Sequence, residues 1–414
     1  MISSENYTSL TLSHPTSVLN GSIKLPASKS EANRALIIAA LSGQESELQN
    51  LSEANDTQLL QRLLKSDAET IDAEDAGTVM RFLTAYYAVT GQHKTLTGTE
   101  RMCQRPIKVL VEALRELGAD IEYIGEEGYP PLKMNGFNGN GKRKLKVRSD
   151  ISSQYISALL MVGPLLPEGL ELALEGKIGS RPYIEMTLSL MEHFGVASSF
   201  EGNTITVPHQ QYKAATFRVE SDWSAASYWY SLVALAQEAD ITLLGLKEKS
   251  FQGDRAIVDI MSRLGVYTSF SADGVHLTKK KHEHHVSVDF SDCPDLAQTI
   301  VALCAGLGVQ VDMTGLESLR IKETDRIQAL QIEVLSLNSS LSEVTPGVFS
   351  LTPGIMTKGD LLFRTYQDHR MAMAFAPLAL LEPVQLQEPS VVRKSYPRFW
   401  EDLEKVGFEI KINE

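Results

Sequence analysis

Cysteine is scarce in this chain: Cys103, Cys293 and Cys304 are the only three in 414 residues, and no Cys-x-x-Cys pair occurs. That argues against a disulfide framework or a zinc ribbon and suits a reducing compartment. Long apolar runs are missing too. The best, Ile156 to Leu166, is broken by Gly163 and Pro164 and falls short of the roughly 20 residues that span a bilayer. Met1 to Ser17 is polar, without the basic-then-apolar layout of a signal peptide, so a cytoplasmic location is expected. Basic residues are outnumbered, Lys and Arg totalling 39 against 52 Asp and Glu, for a formal net charge of −13. Non-specific binding to nucleic acid or anionic membranes is therefore disfavoured. A small anionic substrate is not excluded, because a cleft can be locally basic on an acidic protein.

What is present is ordinary in composition, 43% hydrophobic and 22% charged, but long enough for two domains. Two helix types alternate along it. One is short, built of small apolar residues and opened by polar groups: Lys29 to Leu41, Gly77 to Ala85, Ser152 to Leu160, Asp222 to Ala234, Asp295 to Leu303 and His369 to Ala376. Apolar nearly all round, such helices suit the centre of a domain. The other type is amphipathic and runs into a glycine cap and then a strand. Examples are Arg105 to Leu117, Arg181 to Phe194, Asp254 to Leu264 and Pro397 to Val406, and Asp56 to Lys65 and Glu323 to Leu337 complete six. Six helix pairs separated by strands imply six α/β units, divided three and three, most of them spaced by roughly 70 residues.

A helix N-terminus carries unpaired N–H groups and partial positive charge, so it is a ready anion site. Three such ends converging in each domain would attract a polyanion to an acidic protein. Small polar residues also cap helices with no ligand present, so the motifs must decide. Leu25-Pro-Ala-Ser-Lys-Ser-Glu-Ala-Asn-Arg34 sets Lys29 and Ser30 at a helix entry with Arg34 one turn on, a phosphate or carboxylate grip. In Asp75-Ala-Gly-Thr-Val-Met-Arg81, Gly77 allows close backbone approach, Thr78 offers a hydroxyl and Arg81 adds charge. Leu96-Thr-Gly-Thr-Glu-Arg-Met-Cys-Gln-Arg-Pro106 adds Arg101 and Arg105 before an amphipathic helix.

Together with Ser152-Ser-Gln154, Ser180-Arg-Pro-Tyr183, Asp222, Asp295, Arg320-Ile-Lys-Glu-Thr-Asp-Arg326, Asp368-His-Arg-Met-Ala-Met373 and Arg393-Lys394-Ser-Tyr-Pro397, these segments resemble the signature of the EPSP synthases. The matches run in family order from residue 25 to 397. The resemblance implies an α/β enolpyruvyltransferase fold of two domains, each of three βαβαββ units around buried parallel helices, with the active site in the cleft between them. Residues 19–220 would form one domain, and residues 1–18 with 221–414 the other.

The resemblance also implies the substrates, phosphoenolpyruvate and shikimate 3-phosphate, and a monomer needing no metal or organic cofactor. Carried over position by position, Ser152, Ser153, Gln154, Ser180, Tyr183, Asp295 and Lys322 would contact shikimate 3-phosphate, with Lys29, Ser30 and Arg34 on its shikimate side. Lys29, Gly77, Arg105, Gln154, Arg326, Arg370 and Lys394 would surround phosphoenolpyruvate. Asp295 would take the proton of the attacking hydroxyl, and Lys29 or Glu323 would protonate the methylene carbon.

Three positions depart from the family pattern: Asp75 stands for Asn, Phe82 for Pro and Ser318 for Asn. Asp75 sets a carboxylate beside an anion site, unless it caps the helix and pairs with Lys29 or Arg105. Loss of the proline at Phe82 is expected to loosen the helix start. Gly77 is kept, so sensitivity to the inhibitor glyphosate is expected. Gly136-Phe-Asn-Gly-Asn-Gly-Lys142 nearly matches a nucleotide-binding loop. It lacks the following Ser or Thr and the helix, and reads as a hairpin turn. His282-Glu-His-His285 follows three lysines and reads as an exposed loop. Two other functions stay open. One is the related transfer to UDP-N-acetylglucosamine, which uses a loop cysteine that Cys103 could supply. The other is plain anion binding, for which Asp295 and Glu323 would be superfluous.

Overall fold

The computed structural model describes residues 8–148, 153–176, 178–357, 359 and 361–413. The chain divides into a continuous unit, Ala27–Val219, and a split unit, Met1–Pro26 with Glu220–Glu414. None of the helices among the described residues is long and apolar enough to cross a membrane.

One pattern recurs in both units. Two parallel strands are joined through a helix, a second helix follows, and an antiparallel hairpin packs its later strand beside the second strand. In the continuous unit the spatial order is Thr70–Asp72, Lys94–Thr97, Leu132–Phe137, Ala119–Tyr123 in one sheet. It is Lys144–Arg148, Leu170–Glu175, Thr204–Val207, Ser199–Glu201 in the next. Among the described residues the third sheet is a parallel pair, Glu47–Gln49 with Thr216–Arg218, brought together from far apart in the chain.

Among its described residues the split unit has three four-stranded sheets, two of them finished by the N-terminal segment. Val18–Lys24 pairs in parallel with Glu238–Leu244. Ser9–Ser13 lies between Val384–Gln387 and Glu409–Asn413, antiparallel to both. The third is ordered His285–Asp289, Gln310–Thr314, Val348–Thr352, Ser340–Thr345. The pairing of Val18–Lys24 carries residues 19–26 into the split unit, whereas the sequence reading set them in the 19–220 domain.

The six short helices are those expected from the sequence. They are Lys29–Ser42, Gly77–Val89 and Ser153–Val162 in the continuous unit. In the split unit they are Trp223–Leu235, Ala297–Leu307 and His369–Phe375. The three of each unit pack together at its centre, and small residues such as Ala225, Ala226, Ala302 and Ala372, all buried, let their backbones approach. The amphipathic helices lie outside them, and Gly118, Gly195, Gly265 and Gly407 follow four of these with positive φ.

The segment from Gly136 to Lys142 is not a hairpin turn. Leu132–Phe137 already has partners on both sides, so Lys144–Arg148 joins another sheet and the glycines link the two. His282 is half-buried and His284 exposed, with rings 5.8 Å apart, in the connection to the His285 strand.

Candidate active site

Each unit gathers its helix N-termini and sets charge on them. In the continuous unit, Ser28 caps the Lys29 helix by accepting from the Glu31 amide. Lys29 Nζ meets the buried Asp56 Oδ2 at 2.9 Å. Asp56 opens an amphipathic helix, where an acidic residue is expected merely to face the dipole; nothing in its spacing marks it as the partner of Lys29.

Arg34, 2% exposed, is bound on three sides. Its Nε donates to Thr187 Oγ1 at 2.8 Å, Nη2 to Ser157 Oγ at 3.0 Å and Nη1 to the Ser30 carbonyl at 2.8 Å. The Phe82 and Tyr183 rings lie 5.4 and 5.8 Å from its Cζ. Burial brings its pKa down to about 10. Phe82 is itself buried within a continuous Gly77–Val89 helix, where its ring supports Arg34.

Positive charge in this unit converges most closely at Gly77. A Cβ there would lie 2.5 Å from Arg81 Nη1 and 2.9 Å from Arg105 Nη1. Two largely buried guanidinium groups thus converge on a helix N-terminus, and any side chain at position 77 would make them shift. Arg81 donates to Gln154 Oε1 at 3.0 Å, and Gln154 donates to Thr78 Oγ1 at 3.1 Å. That tie sets the Gly77 and Ser153 helices side by side. The cap position of the Gly77 helix is Ala76 and no side chain caps it, so Asp75 does not take the capping role. Ser180 begins the Arg181–His193 helix in the left-handed conformation, φ 54°, and Tyr183 follows one turn later. Ser152 lies outside the described residues; Ser153 opens its helix. Cys103 Sγ bonds the Gly98 carbonyl at 3.6 Å.

The split unit carries the acids. Arg326, 2% exposed, donates through Nε to Asp368 Oδ2 at 2.7 Å, through Nη1 to Asp295 Oδ1 at 3.0 Å and through Nη2 to Glu323 Oε2 at 3.0 Å. One guanidinium therefore holds both candidate proton-transfer carboxylates. Arg370 Nη2 donates to Asp295 Oδ2 at 2.9 Å, Lys322 Nζ lies 3.7 Å from Asp295 Oδ1, and Lys394 Nζ lies 3.6 Å from Glu323 Oε1. Burial works to raise the Asp295 pKa, but Arg370, Lys322 and Arg326 hold it far below the usual carboxylate range. Burial opposes the charge on Arg326, and Asp368, Glu323 and Asp295 more than restore it.

Asp368 also caps the His369 helix, accepting from the Arg370 amide at 2.8 Å. His369 is buried beside it. Asp222 caps the Trp223 helix. Asp368 stood in a recognised motif without a role; its doubled duty as cap and clamp emerges only when Arg326 folds back upon it. Ser224 and Asp254, which flank Arg370, were not singled out, because a serine and an acid in first turns read as ordinary capping chemistry.

The described residues contain no group of three His, Cys, Asp or Glu side chains able to hold a metal. Of the sequence candidates, Lys29, Ser30, Arg34, Gly77, Arg105, Ser153, Gln154, Ser180 and Tyr183 fall in the continuous unit. Asp295, Lys322, Glu323, Arg326, Arg370 and Lys394 fall in the split unit.

Comparison with known proteins meets this geometry. The family model described as EPSP synthase (3-phosphoshikimate 1-carboxyvinyltransferase) matches residues 13–67 and 60–403. A 3-phosphoshikimate 1-carboxyvinyltransferase of Bacteroides fragilis is 50% identical over 407 residues, covering 97% of this chain and 99% of the relative. One from Pectobacterium atrosepticum is 33% identical, with 96% and 99% covered. The fold matches an EPSP synthase structure from Acinetobacter baumannii with TM-score 0.78 at 20% identity, covering 98% of this chain and all of that one. It also matches the enolpyruvyl transferase NikO of Streptomyces tendae, with TM-score 0.73 at 14% identity over 98% and 99% of the chains. The family match, with the identity of these relatives over nearly the whole length of both chains, makes this chain a member of the EPSP synthase (3-phosphoshikimate 1-carboxyvinyltransferase) family.

Proposed function

We propose that this chain transfers the enolpyruvyl group of phosphoenolpyruvate to the 5-hydroxyl of shikimate 3-phosphate and releases phosphate, a step of aromatic amino-acid biosynthesis. The observation that carries the reading is Asp295 and Glu323 on a single buried guanidinium, surrounded by Arg370, Lys322 and Lys394. Anion binding alone calls for the cations; two carboxylates among them oppose it and are explained by proton transfer.

Both clusters serve one reaction. Gly77, Arg105, Lys29 and Gln154, with Arg326, Arg370 and Lys394, hold the phosphate and carboxylate of the donor. Ser30, Arg34, Ser152, Ser153, Gln154, Ser180, Tyr183 and Lys322 hold the acceptor, and Lys29 touches both substrates. Arg34 and Arg326 also fix their neighbours, since three sides of each are bound to protein groups.

Without substrate, Asp295 is a poor base because three cations stabilise its charge. Substrate anions compete for those cations, its proton affinity rises, and it takes the proton of the 5-hydroxyl. The oxygen attacks C2 of phosphoenolpyruvate while Lys29 or Glu323 gives a proton to C3, producing a methyl-bearing tetrahedral intermediate. The C2–O bond to phosphate then breaks, phosphate leaves, and a methyl proton returns to the protein to restore the double bond. No step routes through a metal or an organic cofactor, and the active form is a cytoplasmic monomer.

Asp295→Asn tests this reading. Turnover should fall by about 10²- to 10⁴-fold while shikimate 3-phosphate still binds by calorimetry. Turnover within a factor of a few of wild type would remove Asp295 as the base.

A further inference from the structure

Asp254 is a buried carboxylate to which the reaction above gives no role. It is 1% exposed, in the short turn Gly253–Ala256. Gln252 pins that turn to the Trp223 helix: its Oε1 accepts from the Trp223 amide at 3.0 Å, and its Nε2 donates to the Ser221 carbonyl at 2.8 Å. Asp254 Oδ2 bonds the Ser224 hydroxyl, while the buried Oδ1 has no hydrogen-bond partner among the described residues. Ser224 Oγ in turn accepts from Arg370 Nη2 at 3.3 Å, the atom that reaches Asp295 at 2.9 Å. Asp254, Ser224, Arg370 and Asp295 therefore form one line of contacts.

We propose that Asp254 is a positioning residue whose protonation state sets how strongly Arg370 can attract the enolpyruvyl donor. Neutral, Asp254 leaves the guanidinium to Asp295 and the incoming anion. Ionised, it adds a second carboxylate one hydroxyl away and draws on the same positive charge. The proton exchanges with solvent, and no bond to substrate is made or broken.

The groups facing Asp254 are Asp295 and Asp222, which favour its neutral form, and Arg370 and Ser224, which favour the ion. The Cys293 thiol also faces it and stays protonated, its pKa raised by burial and by Asp254. On its own turn, Arg255 is engaged with Asp259. Burial, then Asp295, pushes the Asp254 carboxyl up to about 7, so the change falls within the working range of a cytoplasmic enzyme.

The inference rests on the assignment of Arg370 to the donor. Phosphate release by the full-length wild type and Asp254→Asn is measured against donor concentration from pH 6 to pH 9. Comparing the two proteins cancels the ionisation of the substrates. Asn mimics the neutral acid, so donor KM values should converge at the acid end. By the alkaline end the wild-type value should exceed that of the variant on the order of 10-fold, while the ratio for the acceptor stays flat. Parallel profiles for the two proteins would overturn the proposal. Arg370→Gln, measured alongside, separates the underlying assignment: an unchanged donor KM there would remove Arg370 from the donor site and Asp254 with it. Should Asp254→Asn fail to fold, infrared spectra of the wild type decide. A protonated-carboxyl band that fades around neutral pH supports the proposal, and its absence above the usual carboxylate range overturns it.

Discussion

At the residue scale, space and charge at two positions lead to definite outcomes. Gly77 is needed because a methyl group there would press on the Arg81 and Arg105 guanidinium groups at 2.5 and 2.9 Å. Gly77→Ala should therefore displace them, raising the donor KM about 10- to 100-fold with little change in melting temperature; steady-state kinetics and calorimetry check both. Asp254 makes the opposite kind of contribution. Its folded-state pKa is raised to about 7, so its share of stability is complete below the unfolded-state value near 4. That share is lost as pH rises toward 7. Asp254→Asn should thus be more stable to denaturant than wild type at pH 8, by about 4 kcal/mol, and the difference should vanish near pH 4. Gly77, Arg105 and Arg370 stand out as candidates in the sequence because they lie in compact motifs. Asp56, Ser224 and Asp254 do not, because their partners lie 27, 146 and 30 residues away, and each alone looks like a helix-start residue.

At the scale of the element, the six central helices are short and owe their place to what meets their first turns. Asp368 illustrates this best: it caps the His369 helix and clamps Arg326 at 2.7 Å from full burial. Removing it strands a buried guanidinium among fewer charges, a change that costs about 3–5 kcal/mol. Asp368→Ala should unfold at correspondingly lower denaturant, and turnover should fall because Arg326 no longer fixes Asp295 and Glu323. Asp368→Asn keeps an acceptor for the cap and should recover part of the stability but little of the activity. The helices themselves were readable because small apolar residues fill every face of them, a pattern that needs no tertiary information. Their ties, such as Arg81 to Gln154 and Thr78, were not readable, since a surface arginine and a binding arginine have the same sequence appearance.

At the scale of the molecule, the chain closes its sheets with segments remote in sequence. Ser9–Ser13 sits between two strands from residues 384–413, so deleting residues 1–14 should open that sheet. The split unit should then lose its cooperative thermal transition while the transition of the continuous unit persists, as two-wave calorimetry would show. The repeat count was legible because amphipathic helices and glycine caps recur along the chain. The ownership of residues 19–26 and the link through Gly136 to Lys142 were not, because strand pairing is chosen by edges that only the fold creates.

Transfer of the enolpyruvyl group to shikimate 3-phosphate is tested by phosphate release from the purified protein with phosphoenolpyruvate and each of two acceptors, shikimate 3-phosphate and UDP-N-acetylglucosamine. Release is expected with shikimate 3-phosphate alone. Release with the nucleotide sugar alone would contradict the acceptor assignment and turn attention to Cys103, and release with neither from folded protein would contradict the catalytic reading itself.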